Sequence, residues 1–194
     1  MSELAVTEKD IRDSLRTRLS SAALASGARV FEELTLENGA ARVDFAVVGE
    51  RLHAFEIKSD LDNFSRLHNQ IHAYNRVFDS ITMVTTQLHL TAAIQILPSW
   101  WGVQCVRRTG GATLEVHEVR PAAVHDRQDA RSLAMFLWRE EALHALRNAN
   151  RSAPTRANRW ELAEAMASAF TLPRLREVVS QALLSRVPKT ASDA

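Results

Sequence analysis

The pattern of apolar and polar residues divides the chain into a strand-rich N-terminal part and a helical C-terminal part. Stretches at 30–36, 42–48 and 52–58 are rich in apolar residues and have the length typical of strands. Turn-forming residues separate the second stretch from the third, so the pattern predicts a tight hairpin over 42–58. A β-rich run at 80–86 predicts another strand, which should pair beside the second strand of the hairpin.

Helical spacing of apolar residues predicts helices on both sides of the hairpin. The first helix should begin near Thr7, which is a suitable capping residue, and end at Gly27. A second helix is predicted over 62–78 and a short third one over 92–97. The helix over 62–78 connects two strands that should lie parallel and side by side, and such connections are right-handed.

Two further strands, at 102–107 and 112–119, are predicted around a turn at Thr109–Gly111. The strand pattern ends at Pro121, and the rest of the chain is amphipathic and helical. The C-terminal helices are expected at 131–149, 157–169 and 173–187. Residues from Pro188 onward are expected to form a frayed terminus.

The order of these elements predicts an α/β fold in which helices flank a mixed central sheet. The elements follow one another as αβββαβ within residues 1–120. Residues 121–194 then form a C-terminal α-helical region. A chain of 194 residues is long enough for one well-buried domain with a small appendage.

Composition narrows the class of protein. Apolar residues make up 46% and charged residues 24% of the chain, as in ordinary soluble globular proteins. The formal net charge is +1, so overall charge does not indicate a nucleic-acid ligand, and any basic surface must be local. The single cysteine, Cys105, excludes an intramolecular disulfide and a cysteine-rich zinc site. The sequence shows neither a membrane-spanning run nor a secretory pattern, so a cytoplasmic location is expected.

Charged residues inside the predicted hairpin are the strongest chemical signal. Side chains alternate between the two faces of a strand, so Glu56 and Lys58 should point to the same side. Asp44 lies on the preceding strand and comes alongside them in a hairpin. Charged groups within so apolar a segment need partners, because burying an unpaired charge is costly. Two carboxylates and a lysine are therefore expected to converge at one end of the sheet.

This group of side chains suits Mg²⁺-dependent hydrolysis of a phosphodiester. Carboxylates hold a hard cation through oxygen ligands, and Mg²⁺ usually takes one or two of them together with water and substrate phosphate. The cation stabilises charge on the attacked phosphate and acidifies a bound water. A lysine close by can orient the nucleophile and offset the developing negative charge.

Asp44, followed by Glu56-Ile57-Lys58, resembles motifs II and III of the PD-(D/E)XK nuclease superfamily. Val43 stands where the name-giving proline would be, and that proline does no chemistry. Gln70 and Tyr74 match the Q-x-x-x-Y signature that follows the E-x-K strand in the RecB-like branch of that superfamily. The resemblance implies a restriction-endonuclease-like core.

Segments outside these motifs carry a looser resemblance. Pro98–Gly102 and Leu137–Glu141 resemble parts of small uncharacterised bacterial proteins that join such a core to a helical tail. The nuclease resemblance covers roughly residues 10–107, and the looser one covers most of the chain. Together they imply a nuclease-like core followed by a helical subdomain.

The nuclease resemblance implies a role for each residue of the two motifs. Asp44 and Glu56 would hold Mg²⁺ or Mn²⁺. The main-chain carbonyl of Ile57 would complete the shell of ligands. Lys58 would activate or orient the attacking water.

A further metal ligand in many members of the superfamily is an upstream glutamate. Glu32 and Glu33 both lie on the first predicted strand. Strand alternation does not decide between them, and ordinary surface charge on an edge strand explains both equally well. Glu33 is the preferred candidate.

On the substrate side, Gln70 and Tyr74 would position a nucleic-acid strand, and Arg66 would pair with a phosphate. DNA is the expected substrate. RNA is a weaker alternative, since phosphate chemistry alone does not distinguish the two sugars. A hypothesis of another class is a catalytically silent nucleic-acid-binding or assembly module, which the near-neutral charge favours and the intact motifs oppose. A homodimer is compatible with either hypothesis.

Several other residues allow two interpretations. His68 and His72 have the spacing of zinc ligands, but no third ligand accompanies them, so a partly exposed helix face is preferred. Trp100 and Trp101 suit packing against a helix better than base stacking. Arg12, like the other arginines of the first helix, suits a solvated face better than a phosphate-contacting stripe.

The C-terminal helices are rich in arginine and also carry glutamates. Arginine suits bidentate contact with phosphate, and it equally suits carboxylate pairs between helices. A substrate-binding or specificity subdomain is the preferred interpretation of this region. A structural cap or a dimer face is the alternative.

Overall fold

A computed structural model of the chain describes residues 5–36, 39, 41–109, 113–152 and 156–186. The chain divides into two compact units, Met1–Gln128 and Asp129–Ala194. Every described strand belongs to the first unit, and the second unit is helical in its described residues.

The first unit is an α/β structure with a mixed sheet flanked by helices, as the sequence pattern predicts. Its elements are, in chain order, α1 (Glu8–Ser26), β1 (Arg29–Leu36), β2 (Ala41–Val48), β3 (Leu52–Lys58), α2 (Leu67–Asn75), β4 (Ser80–Thr86), α3 (Gln87–Ile96), β5 (Gly102–Arg108) and β6 (Leu114–Arg120). The six strands lie in the sheet in the order in which they follow in the chain. β4 is parallel to both of its neighbours, β3 and β5, and the other neighbouring strands are antiparallel.

Helix α1 packs across one face of the sheet. A capping box fixes its start: Thr7 Oγ1 accepts from the Asp10 N–H at 3.2 Å, and Asp10 accepts from the Thr7 N–H at 3.0 Å. The helix ends at Ser26 and is capped by Gly27, whose φ of 68° favours glycine. Ile11 and Leu15 are buried against apolar side chains of the four strands β2 to β5. Burying each such side chain contributes about 1.5–3 kcal/mol, so this face supplies the core that holds the strands in place.

The segment before α1 is tied to the end of β3. The Val6 N–H donates to the Asp60 carboxylate at 2.7 Å, and the Asp60 N–H donates to the Val6 carbonyl at 3.2 Å. Asp60 lies just beyond the last residue of β3. These two bonds therefore hold the first turn of α1 beside the end of that strand.

Helix α2 covers Leu67–Asn75, so the prediction of a helix over 62–78 was wrong at both ends. Before the helix, Asp62 accepts hydrogen bonds from the N–H and the hydroxyl of Ser59, at 2.8 and 2.6 Å. Asn63 accepts in the same way from Ser65. Such local bonds from side chain to backbone favour turns over a helix, which explains the late start.

Helix α3 is longer than the predicted helix over 92–97, because it begins at Gln87, directly after β4. Leu88 in its first turn is 68% exposed. This turn therefore lacks the amphipathic pattern from which helices are predicted.

The second unit contains four helices within its described residues, and they are α4 (Ala130–Ala134), α5 (Arg139–Asn148), α6 (Arg159–Ala169) and α7 (Leu172–Ser185). The prediction of one helix over 131–149 was wrong, because a non-helical segment separates α4 from α5. The Glu141 carboxylate accepts from the Trp138 N–H at 2.6 Å and so satisfies a backbone donor at the start of α5.

Arginines of the second unit link its helices to one another. Arg186 binds Glu141 at 2.7 Å, and Arg131 forms an ion pair with Glu164. Arg139 and Arg159 donate to main-chain carbonyls of Ala157 and Met135. For these four arginines the contacts support the structural interpretation, since the side chains already have partners inside the unit.

Two predictions fall wholly or partly on residues that the structure does not describe. The turn at Thr109–Gly111 is described only at Thr109. The frayed terminus expected from Pro188 onward lies outside the described residues. Among the described helices, none is long and apolar enough to cross a membrane.

Candidate active site

The sheet opens between β2 and β3 at the position of Asp44. The two strands pair from Phe45 opposite Phe55 to Val48 opposite Leu52. Next to this paired segment, the Asp44 carboxylate accepts from the Ile57 N–H at 2.8 Å. A side-chain acceptor thus replaces a main-chain one, and it fixes Asp44 beside β3.

The pairing of β1 with β2 is interrupted at the same residue. Glu32 pairs with Phe45 and Leu34 pairs with Val43, so Glu33 lies opposite Asp44 without being paired to it. Glu33 has a φ of 54°, in the left-handed region. A glutamate in this conformation costs about 1–3 kcal/mol, and such strain concentrates at functional sites. Irregularities on both sides of β2 therefore meet at Asp44.

A polar cavity of about 560 Å³ opens at this point. The lining includes every predicted site residue except Tyr74. The lining residues are Glu8, Arg12, Glu33, Thr35, Gly39, Ala41, Arg42, Asp44, Glu56, Ile57, Lys58, Asp62, Arg66, Asn69 and Gln70.

Glu56 is a buried carboxylate in the wall of this cavity, with 2% of its surface exposed. Its Oε1 accepts from Lys58 Nζ at 3.1 Å and from Gln70 Nε2 at 2.5 Å. Its Oε2 accepts from the Tyr74 hydroxyl at 2.7 Å. Burial, followed by the negative charge of Asp44, raises the pKa of Glu56 to about 7. Glu56 can therefore exchange a proton near neutral pH.

Lys58 and Asp44 complete the group that strand alternation predicts. The Lys58 side chain is 5% exposed, and its ammonium group is paired with Glu56. Burial raises the pKa of the Asp44 carboxyl, although the Ile57 N–H and Arg12 favour its charged form. The structure thus brings Asp44, Glu56 and Lys58 together at one end of the hairpin.

Arg12 reaches this cavity from α1. Its Nη2 atom lies 2.8 Å from an oxygen of each of three carboxylates, those of Glu8, Glu33 and Asp44. The Arg12 side chain is only 16% exposed. The interpretation of Arg12 as part of a solvated face was therefore wrong, because the side chain lies between α1 and the hairpin.

The structure separates the roles of Glu33 and Glu32. Glu33 lines the cavity, and its Oε2 lies 2.5 Å from Arg42 Nε. Glu32 instead forms a bidentate pair with Arg16, at 2.6 and 2.8 Å. Glu33, the preferred candidate for a further metal ligand, is therefore the glutamate that lies beside Asp44.

Tyr74 has a different position from the one expected of a substrate-contacting residue. It is fully buried, with its ring stacked 6.2 Å from that of Trp101. Its hydroxyl lies 2.7 Å from Glu56 and 2.8 Å from the Arg42 carbonyl, and its single proton can be donated to only one of them at a time. Tyr74 therefore contacts Glu56 from the buried side of the site and not from the cavity.

Gln70 and Arg66 remain on the cavity side of α2. Gln70 binds Glu56 through its amide nitrogen, and its buried Oε1 has no hydrogen-bond partner among the described residues. Arg66 is exposed at the start of α2 and lines the cavity. These two side chains are therefore placed to meet a ligand that enters the cavity.

Other residues with two interpretations are placed as follows. His68 and His72 are both exposed on α2. Trp101 is fully buried and donates to Asn75 at 2.8 Å, as expected of a packing residue. Trp100 stacks on His125 at 4.3 Å, so its ring also has a partner within the unit.

Sequence reasoning missed the participation of Glu8 and Arg12. Their i, i+4 spacing on a helix predicts an ion pair between them. Nothing in that spacing shows that the pair faces the hairpin. Its position depends on the long-range bonds between Val6 and Asp60.

The oxygen donors at this site are of the type that Mg²⁺ and Mn²⁺ accept. The carboxylates of Glu8, Glu33 and Asp44 converge on one cationic nitrogen, and Glu56 lies close enough to Asp44 for its pKa to respond. Within the described residues, no three His, Cys, Asp or Glu side chains are arranged to hold a metal ion directly. The donors thus suit a hard divalent cation in their chemistry but are not arranged around one, because Arg12 binds three of them.

Comparison with known proteins places the chain in a family. A family model described as bacteriophage P4 protein cII matches residues 1–193. The chain belongs to this family. Protein cII of Enterobacteria phage P4 is 25% identical to the chain over 193 residues, which are 100% of this chain and 72% of that protein. The match to the protein cII family thus covers the strand-rich and the helical unit alike.

A solved structure also resembles the chain. It is a protein of unknown function from Silicibacter pomeroyi, with 20% sequence identity and a TM-score of 0.40. The alignment covers 69% of this chain and 89% of the other.

Proposed function

We propose that the protein is a metal-dependent nuclease that hydrolyses phosphodiester bonds of DNA. The observation that carries this proposal is the position of Glu56, which is buried, hydrogen-bonded to Lys58 and repelled by Asp44 in the wall of a polar cavity. A buried carboxylate with a raised pKa in a cleft is typical of a functional site. The likeness of these residues to the PD-(D/E)XK motifs supports the same reaction.

The residues that line the cavity would have separate roles in the reaction. Bound Mg²⁺ or Mn²⁺ supplies a Lewis acid and lowers the pKa of a coordinated water. Asp44, Glu56 and the carbonyl of Ile57 would hold the cation, with Glu33 as a further ligand. Lys58 would orient the attacking water and offset negative charge on the phosphate.

Residues of α2 would serve binding. Arg66 would pair with a phosphate of the bound strand, since a guanidinium suits bidentate phosphate contact. Gln70 would orient Glu56 through its amide nitrogen. Tyr74 would hold the Glu56 carboxylate in position through its hydroxyl. This support role replaces the contact with the nucleic-acid strand that the sequence motif predicts for Tyr74.

The test is cleavage of plasmid and linear DNA by Lys58→Ala, Asp44→Asn and the wild-type protein in Mg²⁺ or Mn²⁺. Loss of the lysine or of the carboxylate is expected to reduce the rate at least about 100-fold, because each acts on the charge that develops at the phosphate. Glu115→Gln is the matched control, since Glu115 lies on the exposed strand β6 and its side chain is 52% exposed.

Two results would overturn the proposal. Equal cleavage by all four preparations would mean that the activity belongs to a contaminant. Binding of Mn²⁺ without cleavage of any substrate would also contradict it. Circular dichroism spectra and melting curves establish that the variants are folded. A parallel assay on single-stranded RNA decides between DNA and RNA. Preferential cleavage of RNA would make RNA the substrate in place of DNA.

A catalytically silent module that binds nucleic acid or assembles with a partner is the second candidate. One observation favours it: the cation needed by Asp44 and Glu33 is already supplied by Arg12. Titration with Mn²⁺ separates the two candidates. A nuclease site should bind Mn²⁺ in a way that Glu56→Gln abolishes, whereas a silent module should show no such binding.

A further inference from the structure

Arg12 is held firmly at the point where the carboxylates converge. Its helix starts with the Thr7 capping box and is tied to β3 through Asp60. Its guanidinium also lies 5.4 Å from the centre of the Phe45 ring, within the range of a cation–π contact. These contacts therefore fix the position from which the guanidinium binds Asp44.

Three carboxylates share a single nitrogen of Arg12. A terminal guanidinium nitrogen carries two hydrogens, yet Nη2 lies 2.8 Å from oxygens of Glu8, Glu33 and Asp44. A second positive charge comes from Arg42, which forms an ion pair with Glu33. Among these groups, negative charge therefore remains in excess of positive charge. A cation with more than one charge would compensate this cluster better than a guanidinium does.

We propose that Arg12 is an internal competitor for the divalent cation, which must displace it from Asp44 and Glu33. The inference rests on the proposed function, because it concerns the metal site of the proposed nuclease. A guanidinium and a divalent cation repel each other, so they do not share the same carboxylate oxygens at close range. Arg12 keeps the carboxylates in place without metal and lowers the apparent affinity for it.

The competition predicts which residues set metal affinity. Removing the guanidinium should strengthen metal binding, because the cation no longer has to break the ion pairs of Arg12 with Asp44 and Glu33. If Arg12 instead positioned the carboxylates for the metal, removing it should weaken metal binding. The two roles thus predict opposite signs for the same measurement.

The experiment is calorimetric titration of Mn²⁺ into the wild-type chain, Arg12→Gln, Arg12→Lys and Arg16→Gln. Arg12→Gln is expected to bind Mn²⁺ at least about tenfold more tightly than wild type, since a full positive charge is removed from the site. Arg12→Lys should fall between the two, because an ammonium lacks the planar fork of a guanidinium. Arg16→Gln is the matched control, from the same helix and with its partner Glu32 outside the cavity.

An Arg12→Gln variant that is folded and binds Mn²⁺ no more tightly than wild type would overturn the inference. If this variant does not fold, the Mn²⁺ affinity of Arg12→Lys decides by the same criterion. Cleavage is measured in parallel, so the two proposals fail separately. Tighter Mn²⁺ binding without cleavage in any variant would remove the nuclease and leave the competition intact. If the wild-type chain cleaves DNA and Arg12→Gln binds Mn²⁺ with unchanged affinity, the competition is contradicted and the proposed nuclease activity stands.

Discussion

Two arginines, one in each unit, are similarly buried but have very different partners. Arg186 binds both oxygens of Glu141, at 2.9 and 2.7 Å, donates to the Phe136 carbonyl and lies 4.2 Å from the centre of the Trp138 ring. Arg12 meets three carboxylates through one nitrogen. The side chains are 11% and 16% exposed.

The difference lies in how well charge and hydrogen bonds are matched. At Arg186 one guanidinium meets one carboxylate in bidentate geometry and satisfies a main-chain carbonyl, which is the arrangement of a structural link. At Arg12 three carboxylates share one nitrogen, which carries two hydrogens. The helical unit therefore uses buried charge for stability. The cavity of the strand-rich unit instead keeps incompletely matched charges, which are typical of functional sites.

The largest expected effect separates these two arginines by their response to metal. Arg12→Gln and Arg186→Gln should each lower the free energy of unfolding by about 3 kcal/mol, because each leaves one largely buried carboxylate, Asp44 or Glu141, without its guanidinium. Mn²⁺ at a hundredfold excess over its Kd should return about 2.7 kcal/mol to Arg12→Gln. Denaturant unfolding with and without Mn²⁺ measures both quantities.

Arg186→Gln is the control for the metal response, since Glu141 has no part in the cavity. At one fixed Mn²⁺ concentration, its gain should equal that of the wild-type chain, while Arg12→Gln gains more. Equal gains in all three proteins would show that Arg12 does not compete with the metal.

Much of the cavity follows from local rules of the sequence. The two-residue period of a strand places Glu56 and Lys58 on one face, and the hairpin brings Asp44 to them. The helix boundaries at 62 and within 131–149 were misjudged for a local reason too. In both places side-chain oxygens bind nearby N–H groups and so end or restart a helix.

The remaining features of the site depend on contacts between distant segments. Arg12 faces Asp44 because Asp60 ties the start of α1 to β3, across more than fifty residues. The left-handed backbone of Glu33 arises where the strand pairing is interrupted, and no propensity of glutamate predicts it. The Q-x-x-x-Y spacing gives Tyr74 a functional place, but only packing shows that its hydroxyl points to Glu56.

The second prediction contrasts the pH dependence of the two units. Glu56 has a pKa near 7 in the folded chain, raised by burial and by Asp44 from an ordinary value of 4.5. Between these two pH values the folded chain holds a proton that the unfolded chain releases. The contribution of Glu56 to stability therefore falls as pH rises from about 4.5 to 7, by up to about 3 kcal/mol.

Glu141 should behave in the opposite way. Burial opposes its ionisation, but hydrogen bonds from Arg186 and the Trp138 N–H outweigh burial and lower its pKa. Its contribution is present above its unfolded pKa and is lost as pH falls through the folded value. Unfolding curves at a series of pH values test both signs. Glu56→Gln should remove the loss on the alkaline side of pH 4.5, and an unchanged profile would contradict the assignment.

The smallest expected effect concerns the backbone of Glu33. At a φ of 54° a glycine avoids the clash that any Cβ makes, whereas an alanine retains it. Glu33→Gly should therefore be more stable than Glu33→Ala by up to about 1 kcal/mol, although both lose the same carboxylate. At Glu32, an exposed neighbour outside the cavity, glycine should be the less stable of the two, because its extra backbone freedom is lost on folding. Denaturant unfolding of the four variants gives both differences. The same sign at both positions would mean that the backbone of Glu33 is an ordinary part of its strand.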